Sequence, residues 1–341
     1  MMTNLKVTCY GVRPNEVPFF HKLNTYGFEL NLVEPLLNHE NVEAAKGTDA
    51  VILRGNCLAD RQNIKILSEY GIKYLFTRTV GFNHIDLQAA ADYKMLVARV
   101  PSYSPNAIAE LALTLGMMLL RHTAYTTNRT SQYNFCVDSN MFSKEIRNCT
   151  VGVIGTGRIG LTEAILYKGL GANVLGYDIY QSNEAKEVVT FKDLDTVIAE
   201  SDIISLHIPY FPGENESFVN AEFLSKVKPG AILINTARGE LQDNDAILSA
   251  LETGQLSGFG TDVFAKEASF FFKKFNSDNP LPDATVKALV DLYPRVLVTP
   301  HIGSNTDEAL SNMIETSYQN LYEVISSGKV TNAVTLPPAQ N

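Results

Sequence analysis

Three residues of this chain follow short apolar runs, and their types suit proton transfer and anion binding. Arg238 comes after the run Ala231–Asn235, in Thr236-Ala237-Arg238-Gly239. Glu267 lies beyond a second run, Gly258–Asp262, and His301 follows a third, Val296–Thr299, in Pro300-His301. A histidine beside a carboxylate can move a proton, and an arginine fork can hold a carboxylate or phosphate. Taken singly, each has a dull explanation. Strand-end arginines form surface ion pairs, lone glutamates are solvated, and most histidines are hydrogen-bonded structural residues. His21, His39, His84, His122 and His207 receive that structural reading. If the three runs are strands of one parallel sheet, however, Arg238, Glu267 and His301 gather on its carboxyl edge, where open α/β sheets bind ligands.

A second pattern strengthens this reading. Val151-Gly152-Val153-Ile154-Gly155-Thr156-Gly157-Arg158-Ile159-Gly160 contains G-x-G-x-x-G. The strand-like Thr150–Ile154 precedes it, the helix-like Leu161–Leu170 follows, and a second strand-like run, Asn173–Tyr177, ends at Asp178, 18 residues after Gly160. In a dinucleotide site the first glycine permits the tight turn, the second leaves room for pyrophosphate, and the third packs helix on strand. Gly155, Gly157 and Gly160 fill those places, and the helix start offers N–H groups to the anion. Asp178 can accept hydrogen bonds from the adenosine ribose and would repel a 2′-phosphate, so the expected cofactor is NAD. The alternative is a glycine-rich turn without a ligand, which the following helix and acid disfavour.

These residues need elements to place them. Strand candidates in the first part are Leu5–Gly11, Phe28–Val33, Ala50–Arg54, Lys73–Thr79 and Leu96–Val100. From the fingerprint onward they are Thr150–Ile154, Asn173–Tyr177, Asp202–His207, Ala231–Asn235, Gly258–Asp262 and Val296–Thr299. Helix-length segments separate them, which predicts an α/β fold of two parallel sheets with flanking helices. The apolar stretch Ala107–Leu120 is too short for a membrane span and contains Glu110, so a buried helix, capped by Ser104 or Asn106, is expected. A last helix is expected over 305–326, with a frayed tail at Leu336–Asn341. Proline-marked turns at 100–106 and 299–303 suggest that the chain leaves one domain and returns to it. The expected division is residues 1–101 with 300–341, enclosing 102–299.

Bulk properties agree. A chain of 341 residues with 45% hydrophobic content exceeds one ordinary core. A net charge of −9 without a basic stripe argues against nucleic acid as a partner. Cys9, Cys57, Cys136 and Cys149 have no metal-ligand spacing, so no metal is expected, and they make no disulfide framework. With no signal-peptide pattern at the start, a cytoplasmic protein without membrane contact is expected.

At this point the chain resembles a family. VGVIGTGRIG, INTARGE, GTDVF with Glu267 after it, and TPHIG look like the D-isomer-specific 2-hydroxyacid dehydrogenases. VGFNHID and VPSYSPNAIAE look like its D-lactate and D-2-hydroxyisocaproate branch, which includes (R)-2-hydroxyglutarate dehydrogenases. The resemblance covers essentially the whole chain. It implies a Rossmann cofactor domain inserted in a flavodoxin-like substrate domain, and a homodimer with the apolar helix in its interface. It implies that His301 is the acid/base, that Glu267 holds its imidazole, and that Arg238 grips the carboxylate of a small 2-oxo or 2-hydroxy acid. The N–H groups of Val80 and Gly81 would complete the carboxylate site from the other domain. Thr156 and Arg158 resemble pyrophosphate contacts, with Ile159 in the same turn. Ala237 and Asp262 resemble nicotinamide contacts, with Thr236 beside them, and His207 and Pro209 match the strand end near the adenosine.

The substrate is less legible. Tyr103 matches a tyrosine placed over the substrate. Arg54 reads equally as a ligand for a distal carboxylate or as an ion pair, and Ser102 adds no second cation. Phe82 and Phe270–Phe272 either line the pocket or pack beneath a loop. The expected reaction is reduction of pyruvate or a bulkier 2-oxo acid, such as 2-oxoisocaproate or phenylpyruvate, with 2-oxoglutarate as the alternative. Formate oxidation is disfavoured, because the resembling formate enzymes carry glutamine in place of Glu267. Phosphoglycerate oxidation is disfavoured because no regulatory segment follows. A non-catalytic NAD(H)-sensing protein is the other class considered.

Overall fold

The computed structural model describes residues 5–334, so the tail Leu336–Asn341 lies outside the described residues. The chain divides into two compact units, 1–104 with 305–341, and 105–304.

In the first unit, β1 (Lys6–Tyr10), β2 (Glu29–Val33), β3 (Ala50–Leu53), β4 (Tyr74–Thr77) and β5 (Leu96–Ala98) form one sheet in the order β2-β1-β3-β4-β5. All four pairings are parallel, which is the flavodoxin-like order. Helices cover both faces, so β3 reads as an unbroken apolar run rather than an alternating one. Val51 and Leu53 pack with Ile64 and Leu67 of the helix Arg61–Glu69. Ala50 and Ile52 pack with Tyr318 and Leu321 of the helix Asp307–Ser327. Thr306 caps that last helix through Ala309 N, and Gly328 ends it in a left-handed conformation.

In the second unit, β6 (Thr150–Ile154), β7 (Asn173–Tyr177), β8 (Thr190–Phe191), β9 (Ile203–Leu206), β10 (Ala231–Asn235), β11 (Leu256–Thr261) and β12 (Val296–Val298) form an all-parallel sheet. Its order is β12-β11-β10-β9-β6-β7-β8, a Rossmann arrangement extended by one strand. Both faces are again apolar. Leu233 of β10 joins the core beneath the helices Leu194–Glu200 and Asn244–Glu252, while Ile232 and Ile234 join the core under the helix Pro105–Leu120.

Three local expectations change. β8 was not anticipated, because two residues at a sheet edge carry no periodic signal. The apolar helix opens on Pro105, whose fixed φ suits a first turn, so Asn106 lies inside the helix rather than capping it. Residues 300–304 stay with the second unit, because the Asp262 carboxylate accepts the N–H groups of Ile302 and Gly303. Ser102–Ser104 stay with the first, where Asn312 Nδ2 donates to the Tyr103 carbonyl at 2.5 Å.

Candidate active site

The second unit changes winding direction between β6 and β9, and such a switch point opens a crevice at the strand ends. Gly155 ends β6 with φ +92°. A Cβ there would lie 2.7 Å from the carbonyl carbon of His207, at the end of β9. A Cβ on Gly160 would lie 1.9 Å from the Gly155 oxygen, so the helix Arg158–Gly169, with Ile159 in its first turn, sits directly on the glycine turn. At Gly157 a Cβ would meet nothing within 4 Å, and no side chain caps the helix. The turn is therefore closed by packing on two sides and open on the third, a shape that fits a pyrophosphate.

Asp178, just after β7, holds this turn from the other strand. Its Oδ2 accepts from Thr156 N at 2.6 Å and Thr156 Oγ1 at 3.2 Å. Its Oδ1 accepts from Tyr180 N at 2.9 Å. On the far side, His207 Nε2 lies 2.6 Å from Glu163 Oε2 and 3.1 Å from Ser205 Oγ. Asn215 Nδ2 donates to the carbonyl of Pro209. Glu163 carried no sequence signal beyond being an acid on the helix face that also presents Gly160, Ala164 and Tyr167.

Arg238 and His301 each lie three residues past the ends of β10 and β12, and Glu267 opens a 3-10 turn six residues past the end of β11, the strand between them. His301 Nδ1 lies 2.5 Å from Glu267 Oε1. That bond occupies Nδ1 and leaves Nε2 as the ring's other proton-carrying atom. Burial works against a charged imidazole. The hydrogen bond to Glu267 and the charges of Glu267 and Asp262 work for it, and the net effect raises the His301 pKa above its ordinary value.

His301 is held in a left-handed conformation, φ +53°, which a non-glycine residue adopts only when its surroundings insist. Asp262 supplies much of that insistence. Its backbone carbonyl accepts from His301 N at 3.0 Å. Its carboxylate accepts from Thr299 Oγ1 at 2.6 Å, Ile302 N at 2.8 Å and Gly303 N at 2.8 Å. Burial pushes the Asp262 carboxyl up, against those donors.

Arg238 is fixed by a second buried group that sequence reasoning missed. The Asn235 side chain, fully buried, accepts from Ala237 N at 2.9 Å and donates to the Arg238 carbonyl at 3.0 Å and to Gln242 Oε1 at 2.7 Å. Gly239 then lets the turn touch the Glu267 loop: a Cβ there would sit 1.9 Å from the Phe264 carbonyl carbon. Beside it, Thr236 Oγ1 is buried with no partner among the described residues, an orphan at a position expected to face the cofactor.

Phe270 and Phe271 pack edge-on against Phe264 in the core, and Phe272 is half exposed. The long segment after Lys266 contains the helix Ala284–Asp291.

The expected substrate-side residues belong to the first unit. Arg54 follows β3, where burial and the charges of Arg13 and Arg78 push its pKa down to about 10. Val80 and Gly81 follow β4. Neither of their N–H groups donates within the described residues. Phe82 packs against the core of this unit.

A family profile described as "D-isomer specific 2-hydroxyacid dehydrogenase, NAD binding domain" matches residues 113–303, within the second unit. The chain belongs to the D-isomer-specific 2-hydroxyacid dehydrogenase family. An aromatic 2-oxoacid reductase of Clostridium sporogenes is 37% identical over 96% of this chain and 98% of its own length. A D-lactate dehydrogenase of Streptococcus pyogenes is 35% identical over 97% and 100%. The NAD-complexed D-isomer-specific 2-hydroxyacid dehydrogenase of Lactobacillus delbrueckii superposes with a TM-score of 0.83 at 35% identity, over 97% of this chain and 100% of that one. As a member of this family the chain is an NAD-dependent oxidoreductase that interconverts a 2-oxo acid and its D-2-hydroxy acid.

Proposed function

We propose that this dehydrogenase reduces monocarboxylic 2-oxo acids from pyruvate to bulkier ones such as 2-oxoisocaproate and phenylpyruvate. The observation that carries the mechanism is the His301–Glu267 bond on the same strand edge as Arg238. Bound NADH supplies the hydride. Arg238 offers its planar fork to the substrate carboxylate and polarises the carbonyl. His301, kept protonated by Glu267, delivers a proton from Nε2 to the carbonyl oxygen. Val80 and Gly81 add backbone N–H donors to the carboxylate, and Tyr103 covers the substrate. Thr156, Arg158, Ile159 and the three fingerprint glycines hold the pyrophosphate. Asp178, His207 and Pro209 hold the adenosine, and Thr236, Ala237 and Asp262 hold the nicotinamide. The range of substrates is supported by the names of the relatives, which span lactate and aromatic 2-oxo acids.

A panel of 2-oxo acids compared by kcat/KM with NADH tests the reading. The expected winners are pyruvate, 2-oxoisocaproate or phenylpyruvate. A wide margin for 2-oxoglutarate would overturn it in favour of the second reading, an (R)-2-hydroxyglutarate dehydrogenase. Arg54, at the end of β3, is what favours that alternative, since its neighbours Arg13 and Arg78 both pair with Glu16.

The same reading includes a cytoplasmic homodimer. Tyr133, Phe135, Val137 and Phe142 are each more than 70% exposed, a cluster of apolar side chains that suits burial against a second copy. Light scattering on the purified protein tests this, with a monomer counting against it. Four free cysteines fit a reducing compartment. Among the described residues no helix is long and apolar enough to cross a membrane.

A further inference from the structure

We propose that Arg99 is a positioning residue for substrate binding, acting through the peptide that joins Val80 to Gly81. Arg99 follows β5, and its Nη1 donates to the Val80 carbonyl at 3.0 Å. Its guanidinium carbon lies over the Phe82 ring, 5.5 Å from the centroid, so the cation is within cation–π reach as well as hydrogen-bonded. The backbone of Arg99 is itself pinned. Its N–H donates to the Asn332 carbonyl at 3.1 Å, and its carbonyl accepts from Asn320 Nδ2 at 3.0 Å. Asn332 Nδ2 in turn donates to Asn320 Oδ1 at 2.8 Å.

The neighbouring carbonyl is held in the same way. Thr79 Oγ1 donates to the Gly81 carbonyl at 2.7 Å, and Thr77 Oγ1 lies 2.7 Å from Thr79 Oγ1. Both carbonyls of the turn thus accept side-chain hydrogen bonds, while neither the Val80 nor the Gly81 N–H donates within the described residues.

The physical consequence is directional. A peptide whose oxygen accepts a bond from a cation is polarised, and its N–H becomes a stronger donor. In the Val80–Gly81 peptide the oxygen belongs to Val80 and the N–H to Gly81. Arg99 therefore strengthens and aims the Gly81 N–H, and it places a fixed positive charge behind an anion site without touching the anion. Donors fixed in advance need little reorganisation when the ligand arrives. The ligand class is a carboxylate, and the inference rests on the reading of Val80 and Gly81 as carboxylate donors.

The test compares Arg99→Leu, Arg99→Gln and Arg99→Lys with Gly81→Pro, which deletes the N–H itself. KM for pyruvate, inhibition by oxamate, kcat and NADH affinity are measured for each, with melting temperature as the control for folding. Losing one charge-assisted bond is expected to raise the pyruvate KM and the oxamate inhibition constant about tenfold in Arg99→Leu. NADH affinity stays unchanged and kcat changes little, and Arg99→Lys recovers much of the loss. A merely structural role would lower the melting temperature without separating pyruvate KM from NADH affinity. If Gly81→Pro weakens oxamate binding and none of the folded Arg99 variants does, the role of Arg99 is wrong while the carboxylate reading stands. If Gly81→Pro folds and leaves oxamate binding intact, the carboxylate reading itself is wrong.

Discussion

Glu163 and His207 meet at 2.6 Å with both side chains sealed from water. The pair joins the helix of the glycine fingerprint to the end of β9, the two elements that flank the switch point. The other carboxylate oxygen of Glu163 has no partner among the described residues. A buried acid of this kind depends on its single strong contact.

Removing one side of such a pair leaves the other buried and uncompensated, which costs about 3–5 kcal/mol. Glu163→Ala and His207→Ala are each expected to destabilise the protein, and the double variant by much less than their sum. Denaturant unfolding of the four proteins measures the coupling. Additive losses would show that the two residues act independently.

The His301–Glu267 bond makes a pH prediction. On the proposed role of His301, reduction needs the imidazolium, so kcat/KM for a 2-oxo acid is expected to be flat at low pH and to fall as pH rises through the pKa of His301. Glu267 raises that pKa. In Glu267→Gln the fall therefore begins at lower pH. Oxidation of the hydroxy acid needs the neutral ring, so its limb moves in the same direction while its rate grows with pH. For His301→Gln, turnover should drop by 10²–10⁴-fold, the usual worth of a general acid, with NADH binding nearly intact. Near wild-type turnover in that variant would remove His301 from the mechanism.

Asp178 holds Thr156, and on the proposed assignment it also repels a 2′-phosphate. Asp178→Ser is expected to shift preference toward NADPH while also raising the KM for NADH, because the turn loses its brace. Parallel titrations with the two cofactors separate these effects. An unchanged NADPH-to-NADH ratio would mean that charge at this position does not select the cofactor.

Gly239→Ala places a methyl group against the Phe264 backbone. One of the two loops must move, at an overpacking cost of about 1–3 kcal/mol. Arg238 and Glu267 then separate, so the KM for the oxo acid should rise much more than that for NADH. Steady-state kinetics with each substrate varied in turn checks the split.

His84 sets an acid limit on the first unit. Burial pushes its pKa down to about 4, and Thr77 Oγ1 lies 3.2 Å from its Nε2. The unfolded chain takes up this proton near the ordinary histidine pKa of about 6.5, before the folded one does. Stability therefore falls as pH drops from about 6.5 toward 4. His84→Gln should flatten that part of a melting-temperature profile.

Strands were legible in the sequence as short runs rich in apolar and β-branched residues, unbroken in β3 and β10, which are buried on both faces, and alternating with polar residues in β2. β8, with two residues at an edge, gave no such signal. The strand-end positions of Arg238, Glu267 and His301 were legible because glycine, proline and polar residues mark where each strand stops. Their supports were not. Asn235, Gln242, Glu163 and Arg99 matter through partners far away in sequence or through buried amide geometry, and nothing in local composition distinguishes them from ordinary polar residues. The close approach at Gly239 was likewise invisible, since it depends on a loop more than twenty residues later.

His301, proposed to handle the proton, and the glycine fingerprint, proposed to hold the hydride carrier, lie in the same compact unit, 105–304. Arg54, Val80, Gly81, Arg99 and Tyr103 lie in the other. On the assignments proposed above, reaction and taste are encoded in separate stretches of chain. Substrate preference can then drift through changes in residues 1–104 while the proton and hydride donors keep their mutual register. The same division gives a protein engineer a place to cut: new acids can be sought by shuffling that first stretch alone.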